Sequence, residues 1–185
     1  MRRMLLTGRT IRLTGDDGSL AGRLVAHGAT IGDECDVAVH VVATPASRTA
    51  QPIHETSETD WAARCDEPIL AAIDAAQEAH RRHASRLVFV VPALGMTGAA
   101  DLAPLATASE GVRALARVAA RQWGPDGMSV SCVAVRDGGP IVHPQSLADA
   151  TDDDVAGVVA LLAHELAFAA TGATVVVDGG VVMNP

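Results

Sequence analysis

Residues 86–91 read Arg-Leu-Val-Phe-Val-Val, and this nearly continuous apolar run predicts a β-strand that is buried on both faces. Short apolar segments at 10–14, 36–43, 128–135 and 173–178 predict four more strands. Longer amphipathic stretches separate most of them. Strands that alternate with helices predict an α/β fold, in which helices cover both faces of a parallel sheet.

A long helix is predicted over residues 56–83. Thr56 or Ser57 can cap its start, and apolar residues recur at four-residue spacing from Trp61 to Ala76. Its end, His80-Arg81-Arg82-His83, places cations at the negative pole of the helix dipole. We therefore interpret these histidines as an exposed helix terminus rather than as metal ligands.

Three other helices are predicted. A short one covers residues 19–27, and a long one, capped by Asp101, ends at Trp123 before a Gly-Pro pair. Thr151 caps the last one, and three aspartates follow it at 152–154. Acidic residues stabilise the first turn of a helix, so we predict no metal site there.

Composition excludes several classes of protein. The 185 residues are enough for one domain with a sizeable core. The chain has no tyrosine, and all fourteen basic residues are arginine. Mechanisms that need a phenolic acid, a Schiff-base lysine or a P-loop lysine therefore cannot run on this chain alone. A net charge of −8 and an aromatic content of 2% argue against nucleic-acid binding.

The three cysteines, Cys35, Cys65 and Cys132, are widely spaced and fit neither a disulfide framework nor a zinc motif. The first residues lack the long apolar run of a signal peptide. The longest apolar stretch, Val155 to Ala163, is too short to span a membrane. We expect a cytoplasmic protein that does not associate with membranes.

Three segments resemble the short-chain dehydrogenase/reductase family, in particular its 3-oxoacyl-carrier-protein reductases. Residues 108–115 (Ala-Ser-Glu-Gly-Val-Arg-Ala-Leu) resemble the family's helix with the sequence YxASKG. Residues 120–130 resemble its WGPxGIxV segment, and residues 154–180 resemble its ending. The resemblance implies one Rossmann-like domain over 1–185, with a degenerate nucleotide-binding half at 1–43 and a well-matched core at 56–185.

The resemblance also implies an NAD- or NADP-dependent carbonyl reduction, but the residues that carry it are replaced. The family's catalytic tyrosine corresponds to Ala106, and its lysine corresponds to Glu110. The serine corresponds to Pro92 or Ala93, and the asparagine to Pro68. With all four roles lost, we predict that this chain does not catalyse the family's reaction.

The family holds the cofactor pyrophosphate with a TGxxxGxG turn at a helix N-terminus. Here the turn keeps Gly15 and Gly18, but the next two glycine positions are Ser19 and Ala21. Two aspartates also enter the turn, and their charge repels a pyrophosphate. We interpret the turn as vestigial and expect no cofactor.

A deletion is predicted between the first helix and residue 36. Residues 28–31 resemble the start of the family's second strand, and Asp36 begins a segment that resembles its fourth strand. A parallel crossover needs a dozen or more residues. We therefore predict about five strands, without the family's second and third. The exposed edge of the first strand would then need a cover: the N-terminal ten residues, the 44–55 loop or a partner.

The leading functional hypothesis is a non-catalytic member of the family, a structural or regulatory subunit. Family enzymes associate through their long helices, which correspond here to 56–83 and 102–123. Those helices predict a homo-oligomer or a hetero-oligomer with an intact, active reductase.

Two alternatives stay open. The old cleft could bind a small molecule or host non-redox chemistry; the polar residues predicted near it are His40, Thr107, Ser109, Glu110 and His143. Each also has a simpler interpretation. His40 can end a strand as a hydrogen-bonded residue, and Glu110 can pair with Arg113. The second alternative is reductase activity that appears only with a partner chain.

Overall fold

The computed structural model describes residues 4–16, 18–42, 50–136 and 150–182. These residues form a six-stranded parallel sheet with the order β2-β1-β3-β4-β5-β6. The strand bounds are β1 Thr10–Thr14, β2 Thr30–Ile31, β3 Val37–Val41, β4 Arg86–Pro92, β5 Ser129–Val135 and β6 Thr174–Val177. The predicted class, a parallel α/β sheet of the Rossmann type, is confirmed.

The prediction of about five strands was wrong by one. The additional strand is β2, which pairs Thr30 with Thr10 and Ile31 with Ile11 of β1. β3 begins at the same level, because Val37 also lies beside Ile11. The chain therefore passes across β1 through residues 32–36 without returning along the sheet, so no crossover helix is needed. β2, rather than a loop or a partner, covers the first part of the β1 edge.

Six α-helices lie in the described part of the chain. Their bounds are α1 Ala21–Ala26, α2 Glu58–Trp61, α3 Glu67–Arg81, α4 Leu94–Thr97, α5 Ala103–Trp123 and α6 Asp152–Ala163. A π-helical turn over Ala62–Asp66 joins α2 to α3, so the predicted long helix is nearly continuous. Pro68 is the second residue of α3, in the first turn after this π-helical segment, where its missing N–H costs least.

Two of the three predicted caps are present. The Ser57 side chain accepts a hydrogen bond from the Asp60 amide, and Thr151 forms a capping box with Asp154. The prediction for Asp101 was wrong: Leu102 precedes α5, and Asp101 lies at φ +60°. The Asp101 carbonyl instead accepts a hydrogen bond from the Gln51 amide at 2.8 Å.

A separate apolar core lies on each face of the sheet. One core packs α3 and α5 against alternate residues of β3, β4 and β5, with Phe89 at 0% exposure. The other packs α1 and α6 against the opposite face. All seven residues of β4 are buried, whereas only Ile11 of β1 is buried. The α3 side of β1 is therefore incompletely covered.

Candidate functional site

The carboxyl ends of β1 and β3 mark the point where the strand order reverses. From β1 the chain continues to β2 on one side, and from β3 it continues to β4 on the other. Ligands of open parallel sheets bind outside the carboxyl ends at such a point. Two depressions open beside it, one over α1 and α6 and one between β1 and α3.

The turn after β1 begins with a required glycine. Gly15 has φ +74°, and a Cβ there would lie 2.0 Å from the Val41 carbonyl oxygen. The Asp16 carboxylate then accepts hydrogen bonds from the amides of Leu20 and Ala21, at 3.1 and 3.0 Å. The carboxylate of Asp16 thus occupies the first amides of α1. In other proteins, backbone amides at the start of a helix bind phosphate groups.

An ion-pair cluster links α1 to α6 next to this turn. Arg23 contacts Asp152 at 3.1 Å and Asp153 at 3.0 Å. Asp152 and Asp153 therefore hold α1 against α6, and together with Asp154 they place negative charge in the first turn of α6, where it favours the helix dipole. Within the described residues, no group of three or more potential ligands is arranged to hold a metal ion.

Ala106 and Glu110, the residues that the resemblance aligns with the family's tyrosine and lysine, lie on α5. Glu110 there accepts hydrogen bonds from Arg113 on both carboxylate oxygens, each at 2.6 Å. Gly95 packs against this part of α5: a Cβ there would meet Glu110 Cγ at 2.5 Å and the Ala106 carbonyl oxygen at 2.9 Å. Glu110 is therefore held in an ion pair, as its spacing from Arg113 predicts.

The residues that the resemblance aligns with the family's serine (Pro92 or Ala93) and asparagine (Pro68) lie on different elements. Pro92 ends β4, and Ala93, which precedes α4, is tied to the neighbouring strand because its amide donates to the Val135 carbonyl at 2.8 Å. Pro68 lies in the first turn of α3 and lines the depression between α3 and β1. None of these three side chains has a polar hydrogen-bonding group to offer a substrate.

His40 is the buried polar residue at the end of β3. Its Nδ1 lies 2.8 Å from Thr14 Oγ1, and its ring packs edge-on against Phe89. Burial lowers the pKa of His40 from its ordinary value to about 4, so the imidazole is neutral at physiological pH. The hydrogen bond to Thr14 joins β1 to β3 at the same level of the sheet.

A groove of about 680 Å³ lies between β1 and α3. Arg12, Thr14 and His40 line its sheet wall. The helix wall carries acidic side chains separated by alanines; the residues are Ala63, Glu67, Pro68, Ala71, Asp74, Ala75, Glu78 and Arg81. The Arg82 guanidinium holds the pKa of Glu78 below its ordinary value, and Arg81 contacts the same carboxylate at 2.9 Å. The volume is within the usual range for small-molecule sites.

The structure does not bring the predicted cleft residues into one site. His40 lines the groove, whereas Glu110 is paired on α5. Ser109 is buried and donates to the Leu105 carbonyl at 2.9 Å, and Thr107 is exposed on the same helix. His143 lies outside the described residues.

Sequence reasoning missed the helix wall of the groove and the role of β1. The alternation Thr-Ile-Arg-Leu-Thr at 10–14 is the available signal. In it, Ile11 is buried in one core while Arg12 and Thr14 face the groove. Such alternation is typical of a strand with one uncovered face.

Comparisons with known proteins define the fold. No family model and no curated protein matches the sequence. Among solved structures, an enoyl-acyl carrier protein reductase from Bacillus cereus, determined with NADP+ and indole naphthyridinone, has a TM-score of 0.79 at 14% identity, over 98% of this chain and 99% of that one. An enoyl-(acyl-carrier-protein) reductase from Anaplasma phagocytophilum, in complex with NAD, has a TM-score of 0.80 at 14% identity, over 100% and 98%.

A third neighbour is described as a dehalogenation enzyme. It has a TM-score of 0.77 at 19% identity and covers 95% of this chain and 99% of its own. These likenesses establish a Rossmann-like fold shared with NAD(P)-binding reductases. Among the residues the structure describes, no helix has the length and apolar character needed to cross a bilayer.

Proposed function

We propose that this chain is a non-catalytic relative of the short-chain reductases. In this role it is a structural or regulatory subunit that pairs with itself or with an active reductase. The observation that carries the proposal is the state of α5, where Ala106 and Glu110 stand in place of the proton donor and its lysine. The Glu110 carboxylate is bound by Arg113 at 2.6 Å rather than directed to a substrate.

The turn after β1 supports the absence of a cofactor. Asp16 bonds the amides of Leu20 and Ala21, so a pyrophosphate would have to displace a carboxylate from its own helix. It would also meet that negative charge at close range, where like charges repel. We therefore expect no binding of NADH or NADPH at micromolar concentration and no reduction of acetoacetyl thioesters.

The surface formed by α3 and α5 supports a subunit role. The helices pack side by side: a Cβ at Gly111 would lie 3.1 Å from Ile69 Cδ1, and His80 stacks on Trp123 at 4.7 Å. Large apolar side chains remain exposed on both helices, with Leu70 at 59% and Val118 at 60%. These side chains are available for contact with another chain, and the proposal requires that such a contact bury them.

Charge also favours pairing through these helices. Residues 58–81 carry six carboxylates and two arginines, whereas α5 carries one carboxylate and three arginines. A two-fold pairing that sets α3 of one protomer against α5 of the other would bring opposite charges together. The same arrangement suits an intact reductase with similar helices. We also propose a cytoplasmic location, which the three free cysteines support.

Purification of the tagged protein from its native host, followed by native mass spectrometry, tests the subunit role. We expect a stoichiometric homo-oligomer or a complex with a reductase that has the tyrosine and lysine. A monomer at micromolar concentration without such a partner would contradict the proposal. Saturable binding of NADPH to the isolated chain in calorimetry would contradict the loss of the cofactor site.

Substitutions test the surface itself. Leu70→Arg adds a cation to α3 opposite the arginines of α5, and Val118→Glu adds an anion to α5 opposite the carboxylates of α3, so each should dissociate the assembly. Val25→Glu is the matched control, because Val25 is 52% exposed on α1, on the opposite face of the sheet. An assembly that survives both interface variants, or dissociates with the control, would place the contact elsewhere.

A small-molecule-binding role is the second candidate function. The groove between β1 and α3, with the buried His40 on its wall, is the observation that favours it.

A further inference from the structure

The groove between β1 and α3 exists because the link from β2 to β3 is short. Residues 32–36 cross β1 near its start: the Gly32 amide donates to the Ile11 carbonyl, and the Asp36 amide donates to the Thr10 carbonyl. This leaves the α3 side of β1 open from Arg12 to Gly15. A longer connection could have placed a helix there.

We propose that this groove binds a linear aliphatic diamine or polyamine. Its ammonium groups contact the carboxylates of Glu67 and Asp74, and an N–H of the ligand donates a hydrogen bond to His40. The proposal does not depend on the subunit role. Failure of one leaves the other testable, because assembly is tested at Leu70 and Val118, whereas the groove is tested at Glu67 and Asp74.

The helix wall fits a linear dication. Glu67 and Asp74 are seven residues apart on α3, which places their backbones about 10 Å apart along one side of the helix. Neither carboxylate has an ion-pair or hydrogen-bond partner within the described part of the chain. Ala71 lies between them, Ala75 lies directly after Asp74, and both line the groove, where they offer small apolar contacts to a methylene chain.

The far end of the groove limits the length of the ligand. Glu78 is already bound by Arg81 at 2.9 Å and by Arg82 at 2.5 Å. Arg12 and Arg81 also line that end, so a further ammonium group would meet guanidinium charges there. The favourable positions for positive charge are therefore those of Glu67 and Asp74.

The sheet wall supplies a buried polar group that the protein leaves partly unused. His40 is 6% exposed and lines the groove, yet its hydrogen bond to Thr14 uses only Nδ1. With Nδ1–H donating to Thr14 Oγ1, Nε2 presents a lone pair that accepts from an amine. Burial keeps this imidazole neutral, so it does not repel the ammonium group.

A protein helix is a poorer occupant than a small polar molecule. The sheet face beneath a packed helix is apolar, as in β4, where Leu87, Phe89 and Val91 are at most 1% exposed. The open side of β1 instead presents Arg12 and Thr14. A helix laid there would bury polar groups without partners.

Calorimetric titration of the full-length protein with spermidine at low ionic strength tests the proposal. We expect saturable one-to-one binding that weakens as salt is added. Glu67→Gln and Asp74→Asn should each weaken binding about fivefold, and the double variant about 25-fold, as expected for partly exposed ion pairs. Both side chains are exposed, so the variants should fold normally.

Controls separate a site from general attraction to an acidic protein. Glu58→Gln removes an exposed carboxylate outside the groove and should leave the affinity unchanged. Butylamine, with one ammonium group, and Mg²⁺, with charge but no chain, should bind at least tenfold more weakly. Spermidine should also shift the Nε2 resonance of His40 in a ¹⁵N spectrum of the imidazoles.

Three results would overturn the proposal. The first is the absence of saturable heat up to millimolar spermidine. The second is an equal effect of Glu58→Gln and Asp74→Asn, which would assign the binding to net charge. The third is binding that leaves the His40 resonance unmoved, which would place the ligand outside the groove.

Discussion

Arg12 and Leu87 stand in one cross-strand row of the sheet, on the same face, with Ala38 between them. Leu87 is 1% exposed under α3 and α5, whereas the Arg12 side chain retains 25% exposure and opens to a groove. The difference follows from what covers each strand. β4 has helices on both faces, but the short link after β2 leaves β1 without a helix on one side.

The next row on this face repeats the contrast. It runs from Thr14 through His40 to Phe89 and Cys132. Phe89 and Cys132 are fully buried, and burial raises the pKa of the Cys132 thiol to about 12. Polarity thus increases along the row toward the uncovered strand. At that end of the row, the hydrogen bond between Thr14 and His40 satisfies the polar groups of both side chains.

The largest expected effect comes from giving β4 the side chain of β1. Leu87→Arg would place an unpaired cation in a core with no polar partner, at a cost of about 4 kcal/mol or more. That approaches the lower end of the folding free energies of ordinary domains, about 5–15 kcal/mol, so we expect a large loss of the cooperative unfolding transition in circular dichroism.

Leu87→Met is the control for this substitution. It keeps the apolar character and nearly the same volume, so it should cost less than about 1.5 kcal/mol. A stable, cooperative Leu87→Arg protein would mean that the core beneath α3 and α5 admits water or a counter-ion, and would remove the contrast between the two strands.

The second effect is a pH dependence that originates at His40. Its pKa is lowered to about 4 in the folded protein, whereas the unfolded chain binds the proton near 6.5. As the pH falls from 7 to 4, the unfolded state gains this proton first. The free energy of unfolding should therefore fall by about 3 kcal/mol over that window, and it should not change on this account above pH 7.

Denaturant titrations at half-unit pH steps measure this loss, and His40→Gln is the reference. The variant keeps a polar side chain but has no group that titrates in this window. Parallel stability curves for the two proteins would show that His40 is not protected from protonation, and that the sheet end of the groove is hydrated.

The sequence predicts the covered strands well because the signal is local. The apolar run at 86–91 and the spacing of Trp61, Cys65 and Ile69 each reflect burial by neighbouring elements. β2 has no such signal, since two residues cannot show a period. A second reason is that the minimum length of a parallel crossover, a dozen or more residues, applies to a chain that returns along the whole sheet. Residues 32–36 instead cross β1 near its start, so five residues are enough.

The candidate site is less predictable than the fold. The pairing of Glu110 with Arg113 follows from their spacing on one helix. The contact of Thr14 with His40 depends on the register of two strands whose residues are 26 positions apart. The groove exists because no helix covers the α3 side of β1. The carboxylates on α3 can be recognised as part of a site only when the structure shows that they face β1 across this groove.

The third effect is the contribution to stability of the hydrogen bond between Thr14 of β1 and His40 of β3. Thr14→Val keeps the shape of the side chain but leaves His40 Nδ1 without its partner, so unfolding should become easier by about 1 kcal/mol. Urea denaturation measures it. Thr14→Ser retains the hydroxyl and should recover most of the loss. An equal loss in both variants would assign the effect to packing of the threonine methyl group.

The smallest effect is expected at Arg12 itself. Its Nε is buried without a hydrogen-bond partner among the described residues, and its contact with Asp33 is 3.8 Å long, to a carboxylate that is 91% exposed. Such an ion pair contributes little. Arg12→Leu should therefore change the free energy of unfolding by no more than about 0.5 kcal/mol in urea denaturation, in contrast to the large loss expected for the reverse exchange at Leu87. Arg12→Ala removes the aliphatic stem as well as the charge. Comparing it with Arg12→Leu therefore separates the contribution of the stem from that of the guanidinium. If Arg12→Leu cost about 2 kcal/mol or more, the guanidinium would itself hold the open edge of β1, and this strand would be stabilised by charge where β4 is stabilised by apolar burial.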